Sequence, residues 1–580
     1  MLIFLIFPLL TILGFANLFS CRANLRLSWS VCSAVAMLII FQTISALLGT
    51  LYISSIALLA MGSMLFFYYF SKACLQYRCD QSAKILVQIN LLFLITGAVI
   101  AIYDINLHYV IIDDYAYWGV ISKYLYLNNR LPGVSDQVLL RHLAYTPGLA
   151  AFHYMFYLCA GRFSVWAGHL AQGILFFSGV LVLFDARNRV NSVVAIMFAV
   201  LICTLTFGTV LARMQADAFL AIYTFAIVWM IIQAETNSEK MLVTAIPIMS
   251  LYFIKEIGIF SALLCIFLLY FGRKKELTTN YRYLIAIGAL SAAVFFLKLT
   301  WSLHVTSAHI GRFDSAINAH SILQAINPFI TTSFLAQTLF LSKVFRESLD
   351  KTIGFTYYFW VIPLLLSWVY IKKKNLFADI KPVRAIIICY LCALIIYLFM
   401  LYLLQTIVFG LGTLRTNLPS NGRYFNILFV PFMLLLFELA LQVFMSRCKK
   451  PLLKSSILLS VLCIPAAIIG KVQHRHSTFD PIINLSSQII KTMNPKDNEH
   501  YCLAGFVGYG EDYNLQLPMQ FKMLKQFVSY IPNLNNIPNN CDYIVYYQAV
   551  ELPKIIFQHD KLLAQFPYAP GKVGVYASHP

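Results

Sequence analysis

The sequence predicts a mainly α fold, a polytopic bundle of about fourteen transmembrane helices carrying a small C-terminal α/β domain outside the membrane. Three observations predict it. The chain is 60% hydrophobic and only 12% charged over 580 residues, where a soluble protein is roughly a quarter charged. Its mean hydropathy is +0.75, and apolar runs near the ~20 residues that cross a bilayer recur along it. Its basic residues collect in short connections between those runs, as the positive-inside rule expects of cytoplasmic loops.

Taken in order, residues 1–103 hold spans near 2–19, 29–49, 51–70 and 85–103. The first lacks the positive n-region of a signal peptide and reads as a retained span. Residues 104–162 form the first outer loop, expected to carry interfacial helices. Within it, the apolar stretch 147–160 is too short to cross and is placed in the outer interface. Residues 163–470 form the transmembrane core. Its spans lie near 163–184, 190–211, 218–232, 241–254, 257–271, 283–301, 353–370, 385–409, 425–445 and 455–470, with outer loops at 302–350 and 410–424. With this count Arg22, Arg26, Lys72, Arg78, Arg187, Arg189, Lys274, Lys373 and Lys449 all face the cytoplasm. Both termini face outward.

Residues 471–580 are polar. Strand-like runs at 501–507, 543–548 and 572–577 alternate with Pro/Asn-rich turns and an amphipathic stretch near 551–565, which reads as an α/β domain. Most of the thirteen cysteines sit inside spans as small apolar filler. Cys502 and Cys541 do not, and they can pair if the domain faces an oxidising compartment. The net charge of +19 follows the loops rather than a basic tail, which excludes nucleic acid as a partner.

Charged residues beside apolar spans are the candidates for chemistry. Asp113 and Asp114 lie in the first outer loop, before aromatic and apolar positions Trp118, Ile121 and Leu125 at helical spacing. One carboxylate can serve as a general base, and its neighbour can bind a cation or orient a substrate. The plain alternative is a helix cap, which needs only one of them. Asp217 opens a span on the same side, where it serves as a second acid, a cap, or half of an i, i+4 pair with Arg213. Lys255 and Glu256 form a tight outer turn, either a polar turn with a snorkelling lysine or a cation for a lipid phosphate. Arg423 and Tyr424 stand at the outer start of a late span, with Arg415 nearby. An arginine fork suits phosphate oxygens, and an arginine at a span end is also a common anchor. Asp114, Asp217, His304 and His309 make a loose candidate set for a divalent cation, without tight ligand spacing. No Walker, GxSxG, HExxH or Rossmann motif occurs.

Read in order, these motifs resemble the GT-C superfamily of integral-membrane glycosyltransferases, which includes the lipid A aminoarabinose transferase and the protein O-mannosyltransferases. The resemblance rests on IIDDYAYWGVISK, LAYTPGLAAFHYMF, RMQADAFLA, FIKEIGIF and SNGRYFN, between residues 104 and 430. It implies a sugar donor on a polyprenyl phosphate, membrane lipids as surroundings, and a glycan, lipid or protein acceptor at the outer face of a bacterial cytoplasmic membrane. By position it makes Asp113 the base and Asp114 its acidic neighbour. Asp217 becomes the second-loop acid, and Lys255, Arg423, Tyr424 and Arg415 the donor-phosphate site. Any cofactor it implies is a divalent cation. The chain departs from the pattern at Thr146-Pro147-Gly148, where many members have Pro-Pro, and it lacks the lysine sometimes found just before. Arg141 or His142 stands in that region.

Two other classes fit the same composition. An O-antigen polymerase or ligase would lean on external Arg and His rather than Asp113. A transporter or flippase of polyprenyl-linked glycans would show paired half-repeats and charges at the midplane.

Overall fold

A computed structural model describes residues 2–105, 107, 109, 114–133, 144–184, 189–207, 214–271, 281–308, 383–414, 421–447, 480–494, 500–504, 527–531, 541, 543–548, 561–568 and 571–577. The N-terminal helices are α1 (Ile6–Ala23), α2 (Leu27–Leu47), α3 (Leu51–Gln76) and α4 (Gln81–Asp104). A π-helical turn, Asp114–Trp118, leads into α5 (Gly119–Asn128), and α6 (Gly148–Ala160) follows. The core helices are α7 (Val165–Val180), α8 (Arg189–Phe207), α9 (Asp217–Gln233), α10 (Asn237–Ile254), α11 (Gly258–Phe271) and α12 (Tyr281–Ser307). Helices α13 (Val383–Leu414) and α14 (Asn421–Arg447) complete the described bundle. Among the described residues, 8 helices are long and apolar enough to cross a membrane. The chain is a multi-pass membrane protein. The spans expected near 353–370 and 455–470 lie outside the described residues.

Local chemistry sets the ends of these helices. Asn24 takes the left-handed conformation (φ 53°) and returns its N–H to Ser20, which turns α1 back into α2 within a few residues. Asp80 caps α4 by accepting from the Ser82 N–H. Thr236 accepts from the Glu239 N–H, while the Glu239 carboxylate accepts from the N–H of Glu235, so α10 starts on a variant of the capping box. Small and polar groups then bring helices together where lipid supplies no hydrophobic drive. α1 meets α3 at Gly14, where an added Cβ would fall 1.8 Å from the Gly62 carbonyl oxygen. Asn90 donates to Asn17 at 3.2 Å between α4 and α1.

Helix α6 is buried along nearly its whole length and packs against α2, α5 and α7.

The C-terminal segment forms α15 (Asp480–Met493) and a mixed five-stranded sheet. Its strands are β1 (His500–Ala504), β2 (Phe527–Ile531), β3 (Tyr543–Gln548), β4 (Lys561–Tyr568) and β5 (Gly571–Ala577). The order is β2-β1-β3-β5-β4, with β1 parallel to β2 and β3, and β5 antiparallel to β3 and β4. The three strand-like runs of the sequence are β1, β3 and β5. Strand β4 takes the end of the amphipathic stretch, where Leu562, Ala564 and Phe566 pair with β5 around a register shift. Cys502 of β1 and Cys541 are bonded, and both are buried.

Candidate active site at one end of the bundle

Three helix ends meet on one face of the bundle. α9 begins there at Asp217, α10 ends there at Ile254, and α14 begins there at Asn421. α9 packs against both α10 and α14, so these three ends are held side by side. Lys255 caps α10 in an extended conformation, and the Gly258 N–H returns to its carbonyl at 2.8 Å. This closes the Lys-Glu-Ile-Gly turn and throws the lysine side chain across to α9.

The Lys255 Nζ donates to Asp217 Oδ1 at 2.5 Å, and the Arg423 Nε lies 3.4 Å from Asp217 Oδ2. The Asp217 side chain is 2% exposed and that of Lys255 5%, whereas Arg423 is 27% exposed. One carboxylate thus meets two cations, and the trio carries one net positive charge. The excess sits toward the surface, on Arg423. Asp217 is also the first residue of α9, where the helix dipole favours a negative charge.

Aromatic rings enclose the lysine. Its Nζ lies 4.6 Å from the centre of the Tyr424 ring and 6.0 Å from that of Trp118. Tyr424 is fixed through its backbone, because the Tyr397 hydroxyl of α13 donates to the Tyr424 carbonyl at 2.9 Å. Trp118 stacks on Tyr145 at 6.0 Å, and the Tyr117 hydroxyl donates to the Tyr145 carbonyl at 2.7 Å. Burial, with Tyr145 and Glu256 nearby, holds the Tyr117 hydroxyl well above the usual phenol range, so it stays a neutral donor. The Trp301 indole of α12 donates to the Ala144 carbonyl at 2.9 Å, which pins the same segment from the other side.

The first loop reaches this cluster through Asp114. Its Oδ1 accepts from the Met214 N–H at 2.9 Å, and the residue is fully buried. The carboxylate therefore ties the π-helical turn to the strand of chain that leads into Asp217. Capping its own helix, the plain alternative, is not what this contact does. Gly148 adds a second tie. A Cβ there would stand 2.4 Å from the Phe253 carbonyl oxygen, two residues before Lys255. The glycine that stands beside Pro147 thus lets α6 press against the end of α10.

Of the residues expected at the site, the structure brings together Asp217, Lys255, Arg423 and Tyr424, with Asp114 bonded to the adjoining segment. His304 stacks on Trp301 at 5.2 Å, one turn along α12. Asp113, Arg141, His142, His309 and Arg415 lie outside the described residues. Among the described residues, no group of three or more His, Cys, Asp or Glu stands close enough to hold a metal ion. Both Asp217 oxygens face cations already, which suits an ion-pair role better than a ligand role. Sequence reasoning placed Trp118 only as part of an apolar face and did not single out Tyr145 or Tyr397. The run Tyr115-Ala116-Tyr117-Trp118 was the available signal.

The arrangement defines a class: a polytopic membrane protein with a buried acid–base cluster and an aromatic wall at one end of its bundle. No protein-family model and no curated relative matches the sequence. Among the solved structures similar to it are two of ArnT from Cupriavidus metallidurans. One is bound to undecaprenyl phosphate, with 11% identity and a TM-score of 0.39 over 84% of this chain and 97% of that chain. The other is the apo state, with 12% identity, the same TM-score and the same coverage. Likeness at this level assigns no activity, and the chemistry proposed below rests on the residues themselves.

Proposed function

We propose that this chain is a membrane glycosyltransferase of the GT-C type. It moves a sugar from a polyprenyl-phosphate donor to a hydroxyl of an envelope glycan, lipid or protein. The observation that carries the reading is the cluster of Asp217, Lys255 and Arg423, with its excess positive charge beside Trp118, Tyr145 and Tyr424. A leaving lipid phosphate needs a fixed cation where its charge develops, in a site that excludes water. Arg423 is the exposed member and meets the phosphate. Lys255 and Asp217 hold the local field and the arginine's position. The aromatic wall suits the apolar face of a sugar ring.

In the proposed step the acceptor oxygen attacks the anomeric carbon, and the bond from that carbon to the phosphate oxygen breaks. The electron pair leaves on the phosphate, and Asp113 takes the acceptor proton. Attack opposite the leaving group inverts the anomeric centre. Asp114 orients the turn that carries Asp113. The active face is the outer one, because the basic loops mark the opposite side. The bonded Cys502 and Cys541 suit an oxidising compartment on the same side as the cluster.

The test is transfer from a radiolabelled polyprenyl-phosphate sugar by purified protein in proteoliposomes, with the products identified. Asp113→Asn and Arg423→Ala both lose transfer while protein level and topology are kept. Near-normal transfer by Asp113→Asn rejects it as the base. Movement of labelled lipid between leaflets with no product formed points to a carrier instead. Loss with Arg423→Ala alone points to a polymerase- or ligase-type enzyme.

A further inference from the structure

The short helix α6 joins the two parts of the site that carry Lys255 and Trp118. Its first residue, Gly148, lies against the Phe253 carbonyl near the end of α10. Further along, His153 faces α5, with its Nδ1 3.4 Å from the Ser122 hydroxyl. That hydroxyl donates to the Trp118 carbonyl at 2.9 Å. The next residue of α6, Tyr154, donates its hydroxyl to the side-chain oxygen of Asn129, which ends α5 in the left-handed conformation (φ 54°). α6 therefore grips α5 in its first turn and again at its last.

The proton count at Ser122 fixes the direction of these bonds. A serine hydroxyl has one proton and two lone pairs. Its proton goes to Trp118, so toward His153 it accepts. The imidazole then carries its proton on Nδ1. His153 and Ser122 are both buried, at 1% and 0% exposed, so bulk water does not compete for either bond. The carbonyl held in this way belongs to the residue whose ring centre stands 6.0 Å from the Lys255 Nζ.

We infer that His153 is a positioning residue for Trp118: through Ser122 it fixes the backbone at the end of the π-helical turn, and α6 thereby sets the spacing between the indole and Lys255. The inference rests on the glycosyl-transfer reading for its kinetic consequence. The assignment of the hydrogen bond does not.

The test exploits the two nitrogens of the ring. An Asn amide places its N–H where Nδ1 stands, whereas a Gln amide reaches the position of Nε2. Full-length variants are compared in proteoliposomes with the radiolabelled polyprenyl-phosphate sugar as donor, with rates taken per folded protein. His153→Asn is expected to keep transfer within about threefold of wild type, because the bond to Ser122 is retained. His153→Ala and His153→Gln lose about tenfold or more, since small misplacements beside reacting groups are costly. Ser122→Ala loses as much, and combining it with His153→Ala adds nothing, because both cut one chain of bonds. A residue that only fills space predicts the reverse order, with Gln, nearer to histidine in volume, above Asn. That order, or losses that multiply in the double variant, overturns the proposal. Nitrogen-15 NMR of histidine-labelled protein reads the bond without turnover. The signal that vanishes in His153→Asn is expected to show the Nδ1–H tautomer in the wild type, and the Nε2–H tautomer overturns the proposal. Wild-type protein that transfers no sugar defeats the glycosyl-transfer reading, and the tautomer then decides whether His153 holds Ser122.

Discussion

Lys255 and Asp217 stand 38 residues apart in the chain and 2.5 Å apart in the fold, with both side chains buried. Each is a charge at a helix end, and each neutralises the other's burial. Asp217→Asn leaves the lysine buried without its counter-charge and is expected to cost about 3–5 kcal/mol of stability. Thermal unfolding in micelles measures this. Replacing both, as Asp217→Leu with Lys255→Met, restores most of the stability but none of the transfer. Recovery of transfer in that double variant rejects a functional role for the pair.

Asp114 separates geometry from charge. Asn at this position still accepts from the Met214 N–H, whereas Ala does not. Asp114→Asn should therefore unfold at nearly the wild-type temperature, and Asp114→Ala should lose about 1–3 kcal/mol. If the charge matters only through the position of Asp113, Asp114→Asn keeps most of its transfer activity. A loss as deep as that of Asp113→Asn assigns the second carboxylate a direct part.

Gly148→Ala puts a methyl group against the Phe253 carbonyl. Backbone cannot yield cheaply there, so α6 must shift from α10, at about 1–3 kcal/mol. Because Phe253 precedes Lys255 by two residues, transfer should fall more than unfolding temperature alone explains. Comparing turnover with the fraction folded checks this. An alanine variant of wild-type activity removes the proposed coupling.

His153, on the 13-residue helix α6, meets the Ser122 hydroxyl at 3.4 Å through Nδ1. Burial, then the neighbouring His169, lowers its pKa from 6.5 to about 3. The folded state keeps the ring neutral, while the unfolded chain takes up a proton below pH 6.5. His153 therefore costs no stability above that pH. Below it, stability falls toward pH 3, by up to about 1.4 kcal/mol per pH unit. His153→Gln should flatten the slope of unfolding temperature between pH 6.5 and 5. An unchanged slope assigns the pH effect to other groups.

The Cys502–Cys541 bond closes a separation of 39 residues in the C-terminal domain. Its removal by Cys502→Ser with Cys541→Ser is expected to destabilise that domain by about 3–4 kcal/mol. Limited proteolysis, with and without reductant, reads the effect. If the domain only decorates the catalytic bundle, transfer survives; if it helps bind the acceptor, transfer falls with it.

Much of the site was legible because charges are rare in this chain. Asp217, Lys255 and Arg423 each interrupt or border an apolar run, and counting spans put them on one side. Trp118 was not legible as a neighbour of Lys255, nor Tyr145 as the ring that Trp118 stacks on, since aromatic residues are common here and nothing local marks the ring that a distant cation will meet. Gly148 read as a departure from a motif, and only the approach of Phe253 shows what its missing side chain permits. Strand β4 was obscured because an amphipathic run of that length serves a helix or an edge strand equally.

The sequence by itself determined that the chain crosses a membrane many times, and it led to the expectation that residues 471–580 form an α/β domain. Apolar length and loop charge are one-dimensional properties, and the bilayer reads them directly. Only the tertiary structure decided that Asp217 holds both Lys255 and Arg423 and that Asp114 reaches Met214. Those contacts depend on lateral packing among helices, set by small residues and buried polar groups distant in the chain.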